Sequence, residues 1–374
     1  RSVSPPPRPF CTKGFSVTRP ALLLLPPHAT TAIGSLPHTQ AELGLQLALQ
    51  LDVPFLPEFP QVNPGEFMMA SALEGLPGLH FDAMGMCTVD RRAWEAGAKA
   101  FGQRLDAALA SGDVSSFEPS AQARWAWLPF LWEVQNRKLA LAKAQLAGPA
   151  TVRWGTQLST GGAVVEDAEV DKQVFRLLMA RCLAMVKALR AAGCTPLFYL
   201  DEPGLYALDT TDGRHLLMLA ELRLLVVALQ REGALVGLHC CGNTRWEALL
   251  GLGLDLLSFD VRLSLDALLD VPAPLEAYLE GGGALSLGIV PTDLGEDANV
   301  EELAGAAQAS LESVLGASAA HAALDRSVLT PACGLALRTV IDAERIVEQL
   351  RTARAAFGRP SGANGLDAGA RRRA

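Results

Sequence analysis

No run of apolar residues in this sequence approaches the ~18–20 needed for a membrane-crossing helix, so a soluble protein with no membrane partner is expected. Nor is there a long basic stripe. The formal net charge is −8 and the isoelectric point about 5.4, which argues against nucleic acid as a partner. Cysteine is sparse and irregular, with seven residues at positions 11, 87, 182, 194, 240, 241 and 333. An odd number at such spacings in a long chain is not a disulfide framework, and a reducing compartment is expected. Aspartate and glutamate are missing over residues 1–41, where Arg1, Arg8, Lys13 and Arg19 stand among Ser, Thr and Pro. Acid-poor leaders of this kind resemble organelle transit peptides. Residues 1–29 are therefore expected to be a disordered leader. The location is cytoplasmic, or organelle stroma or matrix if that leader is a transit peptide. Gly358–Ala374, which ends in three arginines and an alanine, is expected to be a disordered tail.

The remaining 30–357 reads as one folding unit. Half of the 374 residues are hydrophobic and 19% charged, ample for a large core. Short apolar runs alternate with helical stretches. Strands are expected at Thr31–Ser35, Thr151–Leu158, Pro196–Leu200, Leu235–Leu238, Leu254–Phe259, Ala284–Val290 and Ser327–Thr330. Helices are expected at Gln40–Leu51, Trp94–Leu109, Asp171–Ala192, Arg214–Gln230, Thr244–Leu250, Val300–Leu315 and Thr339–Ala356. Continuously apolar strands separated by helices indicate a parallel sheet covered on both faces. Seven or eight such units indicate an α/β fold, a (βα)8 TIM barrel. Residues 54–150, rich in Pro, Trp and Phe with weaker periodicity, read as an early strand plus an inserted lid.

The polar residues of interest sit just after strands, and in a barrel those positions share one rim, where active sites lie. His239 and Cys241, one residue apart, point to the same side of an extended chain, and Cys240 points away. Asp260 ends the next strand, and Cys333 sits in the turn Thr330-Pro331-Ala332-Cys333-Gly334. One imidazole, two thiols and a carboxylate make a tetrahedral zinc shell. The bland reading is that these are core residues. Asp201-Glu202-Pro203 offers two carboxylates facing opposite ways, one able to hold a cationic group such as an ammonium. A helix-capping Asp is the alternative. Ile33-Gly34-Ser35 can present N–H groups and a hydroxyl to a carboxylate, or be a plain turn.

These residues together resemble the cobalamin-independent methionine synthases. Thr31-Ala32-Ile33-Gly34-Ser35-Leu36-Pro37 is similar to their I-G-S-x-P strand end, and Asp201-Glu202-Pro203 to their D-E-P motif. His239-x-Cys241, an acid after the next strand, and Cys333-Gly334 follow the order of their zinc ligands. The resemblance spans about residues 30–355 and covers the catalytic C-terminal barrel only. It suggests a core-type member of the broader methionine synthase and uroporphyrinogen decarboxylase-like superfamily. It implies Zn2+ at His239, Cys241, Asp260 and Cys333, with Asp260 where the family usually has Glu. It also implies homocysteine held by its carboxylate at Ile33, Gly34 and Ser35, and by its ammonium at Asp201 in the Asp201-Glu202 pair. The implied activity is methyl transfer to the homocysteine thiol to give methionine.

Two family features are missing. No His follows Gly288-Ile289-Val290-Pro291-Thr292, where the family has Asp-x-His-Ser, and no acid near Met68–Glu74 matches its Asp-Met-Val-Glu segment. An amine leaving group such as that of methylfolate needs a proton from a general acid, whereas a methylcorrinoid does not. The donor is thus expected to be methyltetrahydrofolate or a methylcorrinoid, the latter free or carried by a corrinoid protein, and the missing His favours the corrinoid. A metal-free uroporphyrinogen decarboxylase-like barrel, or a non-catalytic binding barrel, is the alternative. A tetrapyrrole site needs a basic pocket, and Arg153, Arg245 and Arg338 are scattered.

Overall fold

A computed structural model of the chain describes residues 22, 24–293 and 299–357. Most of the expected leader and all of the expected tail lie outside the described residues. The strands, in chain order, are β1 (Ala29–Thr30), β2 (Leu79–Phe81), β3 (Cys87–Val89), β4 (Leu141–Ala147) and β5 (Gln157–Leu158). They continue with β6 (Thr195–Asp201), β7 (Leu235–Cys240), β8 (Leu256–Asp260), β9 (Ala284–Val290) and β10 (Val328–Pro331). Seven of them form one parallel sheet in the order β1-β10-β9-β8-β7-β6-β4.

The gap between β4 and β1 is filled by residues 53–58. Val53 N–H donates to the Thr30 carbonyl and Glu58 N–H to that of Gly34, while Leu56 N–H and Lys143 N–H exchange bonds with Lys143 and Pro54. This irregular stave, broken by Pro54 and Pro57, closes an eight-staved barrel.

The barrel interior is layered. Ala29, Val53, Leu141, Leu197, Leu235, Leu256, Ala284 and Val328, one from each stave, make an apolar plug at the N-terminal end. Two residues further along each strand the same face carries Lys143, Tyr199, Gly237, Ser258 and Ser286, a mostly polar layer. Gly237 is obligatory there, since a Cβ would fall 1.6 Å from the Tyr199 ring. The next residues inward are Gln145, Asp201 and His239, at the C-terminal rim.

Long helices cover the outside. Ala168–Ala191 starts at Asp167, whose carboxylate accepts from Glu169 and Val170 N–H, and buries Val170, Val174, Leu177 and Leu178. Gly213–Arg231 and Val340–Phe357 pack likewise. None of the described helices is long and apolar enough to cross a membrane.

The expected strand Thr151–Leu158 is mostly the helix Pro149–Gly155, with only β5 at its end. The stave itself, β4, lies just before it, within the stretch read as lid. The alternation of Lys143 and Gln145 with alanines hid β4, because these two polar side chains face the polar interior. The insertion proper, residues 59–140, contains Met68–Ala72, the β2–β3 hairpin, Arg91–Ser111 and Trp127–Asn136.

Candidate metal centre and acceptor pocket

His239, near the end of β7, Cys241, just beyond it, and Cys333, just after β10, meet at the C-terminal rim. Their ligand atoms all lie within 4.8 Å of one another. His239 is buried, and its Nδ1 lies 3.0 Å from Ser258 Oγ on β8. Its Nε2 is buried with no hydrogen-bond partner. An orphaned imidazole nitrogen beside two thiols is a donor set that fits zinc. The Cys241 thiol donates to the Cys333 sulfur. That bond brings Cys333 down to about 4, helped by the nearby imidazole, and drives Cys241 upward. Cys240 faces away, fully buried, and its thiol donates to the Gly242 carbonyl.

Asp260 stands outside this three-residue group. Its Oδ1 accepts from Arg262 N–H at 2.8 Å and Leu263 N–H at 3.2 Å, capping the helix Val261–Leu269. That is the work of an N-cap aspartate.

A cavity of about 310 Å³ opens over the sulfurs, lined among others by Ile33, Ser35, Glu58, Glu66, Asp201 and Thr292. Asp201 is buried, and its Oδ1 has no hydrogen-bond partner. Burial pushes its carboxyl up to about 7, against the pull of Lys143 and His239. Glu202 turns the other way. Its carboxylate accepts from Ala150 N–H at 3.0 Å and from the N–H and hydroxyl of Thr151, both at 2.7 Å. It anchors the start of the helix Pro149–Gly155 and does not line the cavity, which corrects its place among the substrate-binding residues. Gly34 also stays off the cavity wall. Its missing side chain admits Gln145, whose amide nitrogen would lie 2.3 Å from a Cβ there. Ser35 joins the turn that follows Cys333, its carbonyl accepting from Leu335 N–H at 2.9 Å.

Sequence reasoning missed the polar floor. Lys143, wholly buried, donates from Nζ to the Ile33 carbonyl at 2.6 Å and to Gln145 Oε1 at 3.0 Å, over the Tyr199 ring. Burial pushes it down to about 8, with Asp201 and Glu58 opposing. Gln145 Nε2 donates to the Leu56 carbonyl and to Glu58 Oε1. Arg124, buried in the insertion, pairs with Glu58 at 2.8 Å and bonds the Gln145 carbonyl, tying insertion to barrel. Glu66 accepts from Phe59 and Trp125 N–H, and burial raises its pKa. The acid sought near Met68–Glu74 thus has company just upstream, in Glu58 and Glu66. The available signal was a Lys-x-Gln pair inside an otherwise apolar seven-residue run. Of the scattered arginines only Arg338 lines the cavity, at its mouth. Arg153 pairs with Asp171 and Glu221.

No protein-family model matches the sequence, and no curated protein matches it. Solved structures do. A methyltransferase from Methanosarcina mazei aligns with a TM-score of 0.54 at 13% identity, over 91% of this chain and 98% of that one. A B12-independent methionine synthase from Shewanella sp. W3-18-1, solved with selenomethionine, aligns with a TM-score of 0.45 at 13% identity. That alignment covers 60% of this chain and 65% of the synthase. At such identity the methyltransferase likeness is one of fold: this chain is a TIM-barrel-like α/β protein built as that enzyme is built.

Proposed function

We propose that the protein is a methyltransferase that delivers a methyl group to an acceptor thiol, with zinc held by His239, Cys241 and Cys333. The observation that carries this reading is the orphaned Nε2 of His239 beside two sulfurs, on the wall of a cavity that Asp201 and Ser35 also line. Zinc, when bound, supplies a Lewis acid that keeps an acceptor thiol deprotonated at neutral pH. Three protein ligands leave a position for that thiol.

The chain does the rest. Ser258 holds the His239 ring so that Nε2 faces the sulfurs. The free oxygen of Asp201 accepts an acceptor ammonium, and the Ile33–Ser35 turn takes a carboxylate. Homocysteine has both groups and a size that suits about 310 Å³, and methionine is the product. The donor approaches through the mouth beside Leu337 and Arg338. Thr292, on the wall where the methionine synthases carry a His, is no general acid near neutral pH, which favours a methylcorrinoid over methyltetrahydrofolate. A decarboxylase-like site for a polycarboxylate is not favoured. Arg124 is paired with Glu58, and Lys143 is taken up by the Ile33 carbonyl and Gln145.

The test is a methyl-transfer assay on zinc-loaded protein with homocysteine and a panel of methylfolate and methylcorrinoid donors. Methionine is expected from one donor and is lost in Cys241→Ser and Cys333→Ser. No product from any donor, with zinc bound, overturns the reading.

A further inference from the structure

Lys143 places an amine, wholly buried, in the polar second layer of the barrel. Burying an ammonium costs several kcal/mol unless it is paired. Its partners are not an ordinary ion pair. Nζ donates to the Ile33 carbonyl and to the Gln145 amide oxygen, and its charge acts on Asp201 and Glu58. Glu58 already has Arg124 at 2.8 Å, so the carboxylate left to Lys143 is Asp201. The amine therefore lies beneath the Ile33–Ser35 turn, whose Ile33 carbonyl it holds, on the strand next to the one that ends in Asp201, and these are the two features assigned to the acceptor's charged ends.

We propose that Lys143 is a specificity-determining residue of the acceptor pocket, biasing it towards thiols that carry an anionic group and against thiols whose only charge is cationic. The proposal rests on the thiol-methyltransferase reading. The physical reason is sign. A fixed cation attracts an acceptor carboxylate at the turn and repels an acceptor ammonium at Asp201, in a setting of low dielectric that screens neither. A zwitterion such as homocysteine gains at one end and loses at the other. Acting from beneath the turn, Lys143 tunes recognition and takes no part in the chemistry.

The test needs no methyl donor. Protein loaded with Co2+ in place of zinc reports thiol binding through its sulfur-to-cobalt charge-transfer band. Three thiols are titrated near neutral pH: homocysteine, homocysteine lacking its amine (mercaptobutanoate) and homocysteine lacking its carboxylate (aminopropanethiol). Wild type is expected to bind mercaptobutanoate about tenfold more tightly than aminopropanethiol. In Lys143→Met the two affinities move in opposite directions, mercaptobutanoate weaker and aminopropanethiol stronger, and the ratio shifts by about tenfold. A merely structural role would weaken both together, and that result overturns the proposal. If Lys143→Met does not fold, the wild-type ratio decides alone: equal affinities, or a preference for aminopropanethiol, overturn it. If homocysteine binds but the analogues do not differ, the specificity role falls and the methyl-transfer reading stands. If no thiol perturbs the cobalt spectrum, both fall.

Discussion

Ser258 Oγ and His239 Nδ1 lie 3.0 Å apart across neighbouring strands β8 and β7, whose registers place the two residues directly opposite. With a metal on Nε2, Nδ1 would carry the proton and donate to the Ser258 hydroxyl, which would fix ring and tautomer. Ser258→Ala removes that bond without opening a large cavity. Zinc affinity should fall about 10–100-fold, as measured by competition with a chelating dye. An unchanged affinity would show that packing alone orients His239.

Asp260 is expected to be separable from zinc binding. Asp260→Ala should cost about 1 kcal/mol of stability through the lost helix cap, read from urea unfolding. Asp260→Asn, which also caps, should cost little. Both variants should retain one zinc per chain, and loss of zinc from both would make Asp260 a ligand after all.

The described cysteines divide into two reactivity classes. Burial raises Cys87 to about 12 and Cys194 and Cys240 to about 11, and pushes Cys182 up as well. Those four should resist alkylation in the native state. Cys241 and Cys333 are partly exposed at the cavity. Cys333, whose thiol is held low by its neighbours, should be alkylated first in metal-free protein and be protected by zinc, as peptide mass mapping would show. Modification of the buried four at the same rate would contradict this packing.

His38 reports on the closure of the barrel. It is buried, 3.7 Å from Glu344 on the helix Val340–Phe357, and burial lowers its pKa below 6.5 while Glu344 opposes. The folded state therefore holds it neutral where the unfolded chain takes up a proton. Its contribution is complete above 6.5 and is lost as pH falls through that value towards the folded pKa. Between about pH 7 and about pH 5.5 the urea midpoint of wild type should fall relative to that of His38→Gln, whatever slope the other titrating groups give both. An equal drop in both would place the titration elsewhere.

The sequence made the barrel legible where strands are apolar on both faces, as in Ala284–Val290 and Leu235–Leu238. It hid β4, because Lys143 and Gln145 point into a polar interior, and it hid the 53–58 stave behind two prolines. The convergence of His239, Cys241 and Cys333 was readable because each sits at or just after the end of a strand and so shares a rim. Glu202 was misplaced because adjacent carboxylates look alike in sequence. Only the neighbouring helix start at Pro149 decides which one faces inward. Asp260 reads as a ligand until the helix that begins right after it supplies N–H groups to its side chain. Lys143 was marked only by its Lys-x-Gln pair, and Glu58 and Glu66 by nothing, since their places come from staves remote in the chain.

The central claim is a zinc site of one imidazole and two thiolates. The most direct measurement is metal content by inductively coupled plasma mass spectrometry on wild type, Cys241→Ser and Cys333→Ser, after purification without chelator. The account predicts about one zinc per chain in wild type and marked loss in both variants, as expected when a thiolate ligand is removed. A ratio near zero in wild type, unaffected by Cys241→Ser, would contradict it.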